Sequence, residues 1–272
     1  MKNKRNICIM GGYDDLSKSF FHDLQKSNKQ SIFLNFNKPK SNKKNIFNLE
    51  VYELKKIFHL LRLKNISEII FLGKIDRPNL KNFKLDGEID KYLPLLHNAY
   101  KKGDDFLLKS ILNIFKQNGF MIKSPLDLST SFLLSKKDLK ANPGIGIRTD
   151  IKKGKDILIA LSKFDNAQSI VIIDGYIVAI EAAEGTDQML KRVIDIRKRN
   201  KTINENKGVL IKIAKKNQSR LVDLPVLGTK TIEIAAKANL ASIALDPLST
   251  LILNKNIFLK KAKKENIDLF LA

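Results

Sequence analysis

From Asn6 to Gly73, short apolar runs alternate with segments whose apolar residues recur every three or four positions. No other feature of the chain restricts its fold as much. The runs are Asn6–Met10, Ser31–Phe36 and Glu68–Gly73. Between them, Leu16, Phe20, Phe21 and Leu24, then Leu54, Ile57, Phe58 and Leu61, have helical spacing. A β-α-β-α-β order of this kind is satisfied by a parallel sheet with helices on its faces, a Rossmann-like arrangement. Ligands of such sheets bind at the carboxyl ends of the strands. That rule points to Gly11-Gly12-Tyr13 after the first strand and to Gly73-Lys74, with Arg77, after the third. No complete G-x-G-x-x-G follows the first strand, so a dinucleotide cofactor is not supported.

Two further helices are expected around 92–100 and 105–117, then a short strand over Phe120–Lys123. Residues 124–150 carry two prolines, several serines and glycines and little periodicity, the pattern of a linker. The expected division is an N-terminal domain over 1–123, a linker over 124–150 and a mixed α/β domain over 151–272. The second domain opens with a predicted helix, Lys152–Phe164. It then carries Asp174-Gly175 between two β-branched runs, the strongest short-range signal for a β-hairpin.

The second arm of that hairpin leaves its apolar pattern through Glu181, Glu184 and Asp187, with Gly185 and Thr186 between them. Thr186 suits the N-cap of a helix through Met189, Leu190 and Val193, and Asp187 suits its first turn. Acids at a strand-to-helix junction can hold a cation, while the free backbone N–H groups around Gly185 and Thr186 can meet an anion. Helix stabilisation alone is the plainer reading of the same residues. Further on, Lys212 lies within the apolar strand Gly208–Ala214 and requires an anion partner. Asp223 sits between apolar residues just ahead of Pro225, in an extended, rigid segment. His22, His59 and His97 lie in helical patterns with no partner motif and read as surface or structural residues.

Fifty Lys and Arg against 28 Asp and Glu leave a net charge of +22. Compositional drift, an anionic membrane surface and an anionic substrate all fit that excess. Zinc-ligand, basic-zipper and aromatic RNA-binding signatures are missing, so nucleic acid is not an expected partner. The single cysteine, Cys8, rules out an internal disulfide and fits a reducing cytosol. No apolar span is long enough to cross a bilayer.

Taken in order, Ile180-Glu-Ala-Ala-Glu-Gly-Thr-Asp187, Gly208-Val-Leu-Ile-Lys212, Val222-Asp-Leu-Pro225 and Gly228-x-x-Thr231-x-Glu233 resemble the LpxI-type UDP-2,3-diacylglucosamine pyrophosphatases of lipid A synthesis. Gly73-Lys-Ile-x-Arg-Pro78 and Gly103-Asp-Asp-x-Leu-Leu108 agree in the N-terminal half. The chain departs at Gly11-Gly-Tyr-Asp-Asp15, where the family usually carries a proline-containing glycine-rich turn.

The resemblance implies a cytosolic enzyme that uses Mg²⁺, or another divalent cation, to split UDP-2,3-diacylglucosamine into 2,3-diacylglucosamine 1-phosphate (lipid X) and UMP. It implies a catalytic role for Asp223. Cleaving a pyrophosphate needs an aimed water and neutralised phosphate charge. Lys212 and Arg220 suit the phosphates, and Asp223, Glu181, Glu184 and Asp187 offer hard oxygen ligands for the metal. Gly11, Gly12, Gly73, Lys74, Arg77, Gly185 and Thr186 are the expected substrate contacts. The expected partners are the substrate, lipid X and, transiently, an anionic surface at the inner face of the membrane. A homo-oligomer is compatible with the sequence. The alternative reading is a non-catalytic nucleotide-sugar-binding or regulatory protein.

Overall fold

The computed structural model describes residues 6–27, 30–37, 40–75, 87–164, 166–200, 207–215, 221–222 and 224–272, and within these not the side chains of residues 104 and 105. The chain divides into two compact units. The first takes in 1–129 together with 220–223, and the second takes in 130–219 and 224–272.

The first unit is built on β1 (Asn6–Gly11), β2 (Ser31–Asn35), β3 (Ile46–Asn48), β4 (Ile66–Phe71) and β5 (Met121–Ile122). They pair in the order β3-β2-β1-β4-β5, and every pair is parallel. This sheet has the Rossmann-like form the alternating pattern predicts. Because a parallel sheet is covered on both faces, its strands are nearly unbroken in burial, as in β2, where all five residues are buried. Alternate residues feed two layers. Cys8, Met10, Ile32, Leu34 and Ile69 join Ile57, Phe58 and Leu61 of α2 (Leu54–Leu63) and Leu112 and Phe115 of α4 (Asp104–Gln117) in one core. On β2 the intervening Phe33 meets Phe21 of α1 (Asp15–Lys26) edge to face, with ring centres 5.7 Å apart. The helix α3 (Leu93–Lys102) precedes α4. β3 lies outside the three strands expected in this stretch. Three residues are too few to show a period, and Ile46 alone is buried.

In the second unit the strands β6 (Ser169–Ile173), β7 (Tyr176–Ile180), β8 (Gly208–Lys212), β10 (Leu240–Leu245) and β12 (Asp268–Leu271) form a sheet of order β12-β10-β8-β6-β7. β8, β10 and β12 run parallel, whereas β6 is antiparallel to both β8 and β7. The domain is therefore mixed α/β. A separate parallel pair joins β9 (Val226–Leu227) to β11 (Leu251–Ile252). One face of the main sheet packs against α7 (Thr186–Arg199), α8 (Thr229–Lys237) and α9 (Lys255–Lys264) through Val193, Ile232 and Phe258. The other packs against α6 (Ile145–Leu161) through Ile151 and Leu158.

The helix expected to start at Lys152 starts at Ile145, and 124–150 is not uniformly irregular. It contains α5 (Pro125–Leu128), whose N-cap Ser124 and Asp127 form a capping box. Gly144 and Gly146 hid the first turn of α6 from a reading by propensity. The Asp174-Gly175 turn is as expected. Both residues have positive φ, 45° and 78°, as a type I′ hairpin requires. α6 holds this turn from the side: Gly175 N–H donates to Asp150 Oδ1 at 2.8 Å, and Lys153 Nζ donates to the Gly175 carbonyl at 2.6 Å. Burial pushes the Asp150 carboxyl above its ordinary value, against the lowering effect of that N–H.

Candidate active site

The main sheet of the second unit brings one set of polar residues to a single edge. Lys212 is the last residue of β8, and the strand register sets it beside Ser169, the first residue of antiparallel β6. Glu181 follows β7 directly, its N–H donating to the Ser169 carbonyl at 2.9 Å. Thr186 opens α7. A strand start, two strand ends and a helix start thus meet at one place.

Their side chains form a chain of hydrogen bonds. Lys212 Nζ donates to Thr186 Oγ1 at 2.5 Å, Thr186 Oγ1 donates to Glu181 Oε1 at 3.1 Å, and Ser169 Oγ lies 3.0 Å from Thr186 Oγ1. Ser169, Thr186 and Lys212 are all buried. An ammonium taken out of water loses several kcal/mol of hydration, of order 3–5 kcal/mol if left without a partner. Lys212 therefore depends on the acceptors around it. The other carboxylate oxygen, Glu181 Oε2, is buried and has no hydrogen-bond partner among the described residues.

Thr186 is not the N-cap. Gly185 takes that position at φ 79°, and Thr186 is the first helical residue, its hydroxyl turned inward to Lys212 and Glu181. Gly185 thus serves the backbone turn that delivers Thr186. The three acids do not converge. Glu184 Oε1 takes a 2.6 Å bond from Arg192 Nη2 and its Oε2 takes the Ala182 N–H at 3.1 Å. Its own backbone N–H and the Arg192 guanidinium hold its carboxyl below the ordinary value. Asp187 Oδ1 accepts from Thr231 Oγ1 at 2.8 Å, and its Oδ2 lies 3.8 Å from Lys230 Nζ. That bond ties the first turn of α8 to the first turn of α7, so two positive helix ends face one region. Among the described residues no three His, Cys, Asp or Glu side chains form a metal-binding group. The expected trio of Glu181, Glu184 and Asp187 is thus separated by competing partners. Asp223 and Arg220 lie outside the described residues.

In the first unit, Gly11, Gly12, Gly73 and Lys74 come together at the crevice between β1 and β4, where the strand order reverses. The glycines serve backbone contact. A Cβ on Gly12 would stand 2.1 Å from the Lys74 carbonyl oxygen, and one on Gly73, at φ 100°, 2.2 Å from the Gly12 carbonyl oxygen. Asp14 caps α1 through the Ser17 N–H and also accepts the Lys74 N–H at 2.8 Å. Asn37 Nδ2 donates to the Lys74 carbonyl at 2.8 Å, and buried Asn35 accepts the Tyr13 N–H at 3.2 Å. The Lys74 side chain is exposed. Arg77 lies outside the described residues. His22, His59 and His97 are exposed on helices.

Sequence reasoning missed Ser169, Thr231, Asn35 and Asn37. Hydroxyl and amide residues carry little periodic signal, and only Thr231 stood in a quoted motif.

Comparison with known proteins agrees with this picture. The family model "LpxI N-terminal domain" matches residues 6–132, and "LpxI C-terminal domain" matches 138–270, which makes the chain a two-domain α/β enzyme. A relative, the UDP-2,3-diacylglucosamine pyrophosphatase LpxI of Caulobacter vibrioides (strain ATCC 19089 / CIP 103742 / CB 15), is 34% identical over 220 residues, covering 80% of this chain and 78% of the relative. The chain belongs to the LpxI family.

The different surroundings of the glutamates give a direct test. Glu181→Gln should lower turnover by roughly 10²-fold or more, the scale for losing a group that acts at the reacting centre. Glu184→Gln, which only loosens Arg192, should stay within about threefold of wild type. Assay of both proteins under one set of conditions decides this, and equal losses would contradict the assignment.

Proposed function

We propose that this chain hydrolyses the pyrophosphate bond of UDP-2,3-diacylglucosamine, giving 2,3-diacylglucosamine 1-phosphate and UMP, as a step in lipid A synthesis. The reading is carried by the match to both LpxI domains, over residues that include the buried Lys212–Thr186–Glu181 chain. Hydrolysis adds the oxygen of one water to phosphorus, breaks one P–O bond of the anhydride and leaves two phosphate monoesters. The protein must aim the water and offset the charge on the phosphates. In this reading Lys212 supplies fixed positive charge where water is excluded, and the facing N-termini of α7 and α8 add to it.

The donor chemistry around Glu181 fits a divalent cation in part. All candidates are hard oxygen ligands, and the buried Glu181 Oε2, with no hydrogen-bond partner among the described residues, could accept a cation. Glu184 is occupied by Arg192 and does not fit. Glu181 is therefore the described residue that would hold Mg²⁺, with Asp187 next in line once released by Thr231. Bound there, the cation would supply Lewis-acid neutralisation of phosphate oxygens. The test is to incubate purified protein with UDP-2,3-diacylglucosamine and Mg²⁺ and identify products by mass. UMP and the 1-phosphate in equal amounts, abolished by excess chelator and restored by Mg²⁺, are expected. Full activity in chelator would remove the metal from the account, and no turnover with any divalent cation would remove the reaction.

The acyl chains of such a substrate lie in a bilayer, yet among the described residues no helix is long and apolar enough to cross one. The net charge of +22 then suits transient contact with an anionic surface on the cytoplasmic side, at about 1 kcal/mol per well-placed basic residue. Binding to anionic vesicles should weaken as salt rises. Salt-independent binding, equal on neutral vesicles, would leave the charge as composition.

A further inference from the structure

We propose that Thr186 is a positioning residue, whose hydroxyl fixes the Lys212 ammonium and the Glu181 carboxylate relative to each other and leaves Glu181 Oε2 as the oxygen that meets the ligand. The inference rests on the functional reading above.

The hydrogen bonds of the Thr186 hydroxyl follow from its three neighbours. A hydroxyl has one proton and two lone pairs. The ammonium can only donate, so Lys212 Nζ, 2.5 Å away, fills one lone pair of Thr186. The carboxylate can only accept, so the Thr186 proton goes to Glu181 Oε1, 3.1 Å away. Ser169 Oγ, at 3.0 Å, must then donate into the second lone pair. Thr186 thereby uses its full capacity, and at 7% exposure within this ring of protein partners it is not arranged to meet substrate itself. Its place at the first turn of α7, delivered by Gly185, is set by the fold and not by its own side-chain rotation. Pinning Oε1 leaves the other oxygen, buried and without a partner among the described residues, as the atom with unspent acceptor capacity.

A hydroxyl that only fills space and one that orients a lysine and an acid make different predictions. Thr186→Val keeps the shape and deletes the hydroxyl, whereas Thr186→Ser keeps the hydroxyl and deletes a methyl group. For wild type and both variants, kcat, KM and the melting temperature are measured with UDP-2,3-diacylglucosamine and Mg²⁺. Thr186→Val should lose about 10–10²-fold in kcat, the scale of a misplaced reacting group, with KM within about threefold. Thr186→Ser should recover most of kcat. Near-native kcat in Thr186→Val would overturn the positioning role while leaving the pyrophosphatase reading intact. A loss in Thr186→Ser as large as in Thr186→Val would also overturn it, since packing would then explain both. If Thr186→Val does not fold, Thr186→Ser is set against Thr186→Ala, both lacking the methyl group. A higher kcat for the serine variant supports the proposal and equal values overturn it. A wild-type protein that turns over no substrate with any divalent cation overturns the functional reading, and the positioning role falls with it.

Discussion

A lysine ammonium buried at the end of a central strand is the constraint on which the second half of this protein depends. β8 is apolar and fully buried as far as Ile211, and its next residue is Lys212. Burial takes the charge out of bulk water, so neighbouring elements must supply acceptors. The antiparallel β6 brings Ser169 alongside, the end of β7 brings Glu181, and α7 starts with a hydroxyl instead of a methyl group. Replacing a whole buried charged network by apolar residues of similar volume is often neutral or stabilising by ~1–4 kcal/mol. Stability alone therefore gives weak reason for a lysine here, and chemistry on phosphate gives a strong one.

The first unit is organised by close backbone approach. At the β1/β4 reversal the chain brings two loops so near that Gly12 and Gly73 admit no side chain. Their residues were expected to touch substrate, yet what the geometry gives them is a structural task. The polar groups around that crevice, Asp14, Asn35 and Asn37, are spent on holding the loops. Exposed Lys74 remains as a group free to reach outward from the turn.

Much of the fold was legible because hydrophobic period is a dense signal. The parallel first sheet, the type I′ hairpin at Asp174-Gly175 and the mixed second domain all followed from runs, spacing and turn chemistry. The start of α6 was not, since two glycines obscured its first turn. In the site, the sequence brought together Glu181, Glu184 and Asp187 by proximity along the chain, but each takes a different partner. Arg192 is eight residues from Glu184 and Thr231 is 44 from Asp187, and no local pattern announces either bond. Lys212 was legible because a charge inside an apolar run demands a partner. Ser169 was not, because a serine at a strand start is ordinary.

The most direct test of this account is the Lys212→Met protein, assayed at saturating substrate and Mg²⁺ beside its melting temperature. The account predicts a kcat lower by roughly 10²–10³-fold, as for loss of a preorganised electrostatic group, in a protein that still melts cooperatively, at a temperature lowered by the Glu181 charge left uncompensated. A Lys212→Met protein that melts normally and turns over within a few-fold of wild type would contradict it.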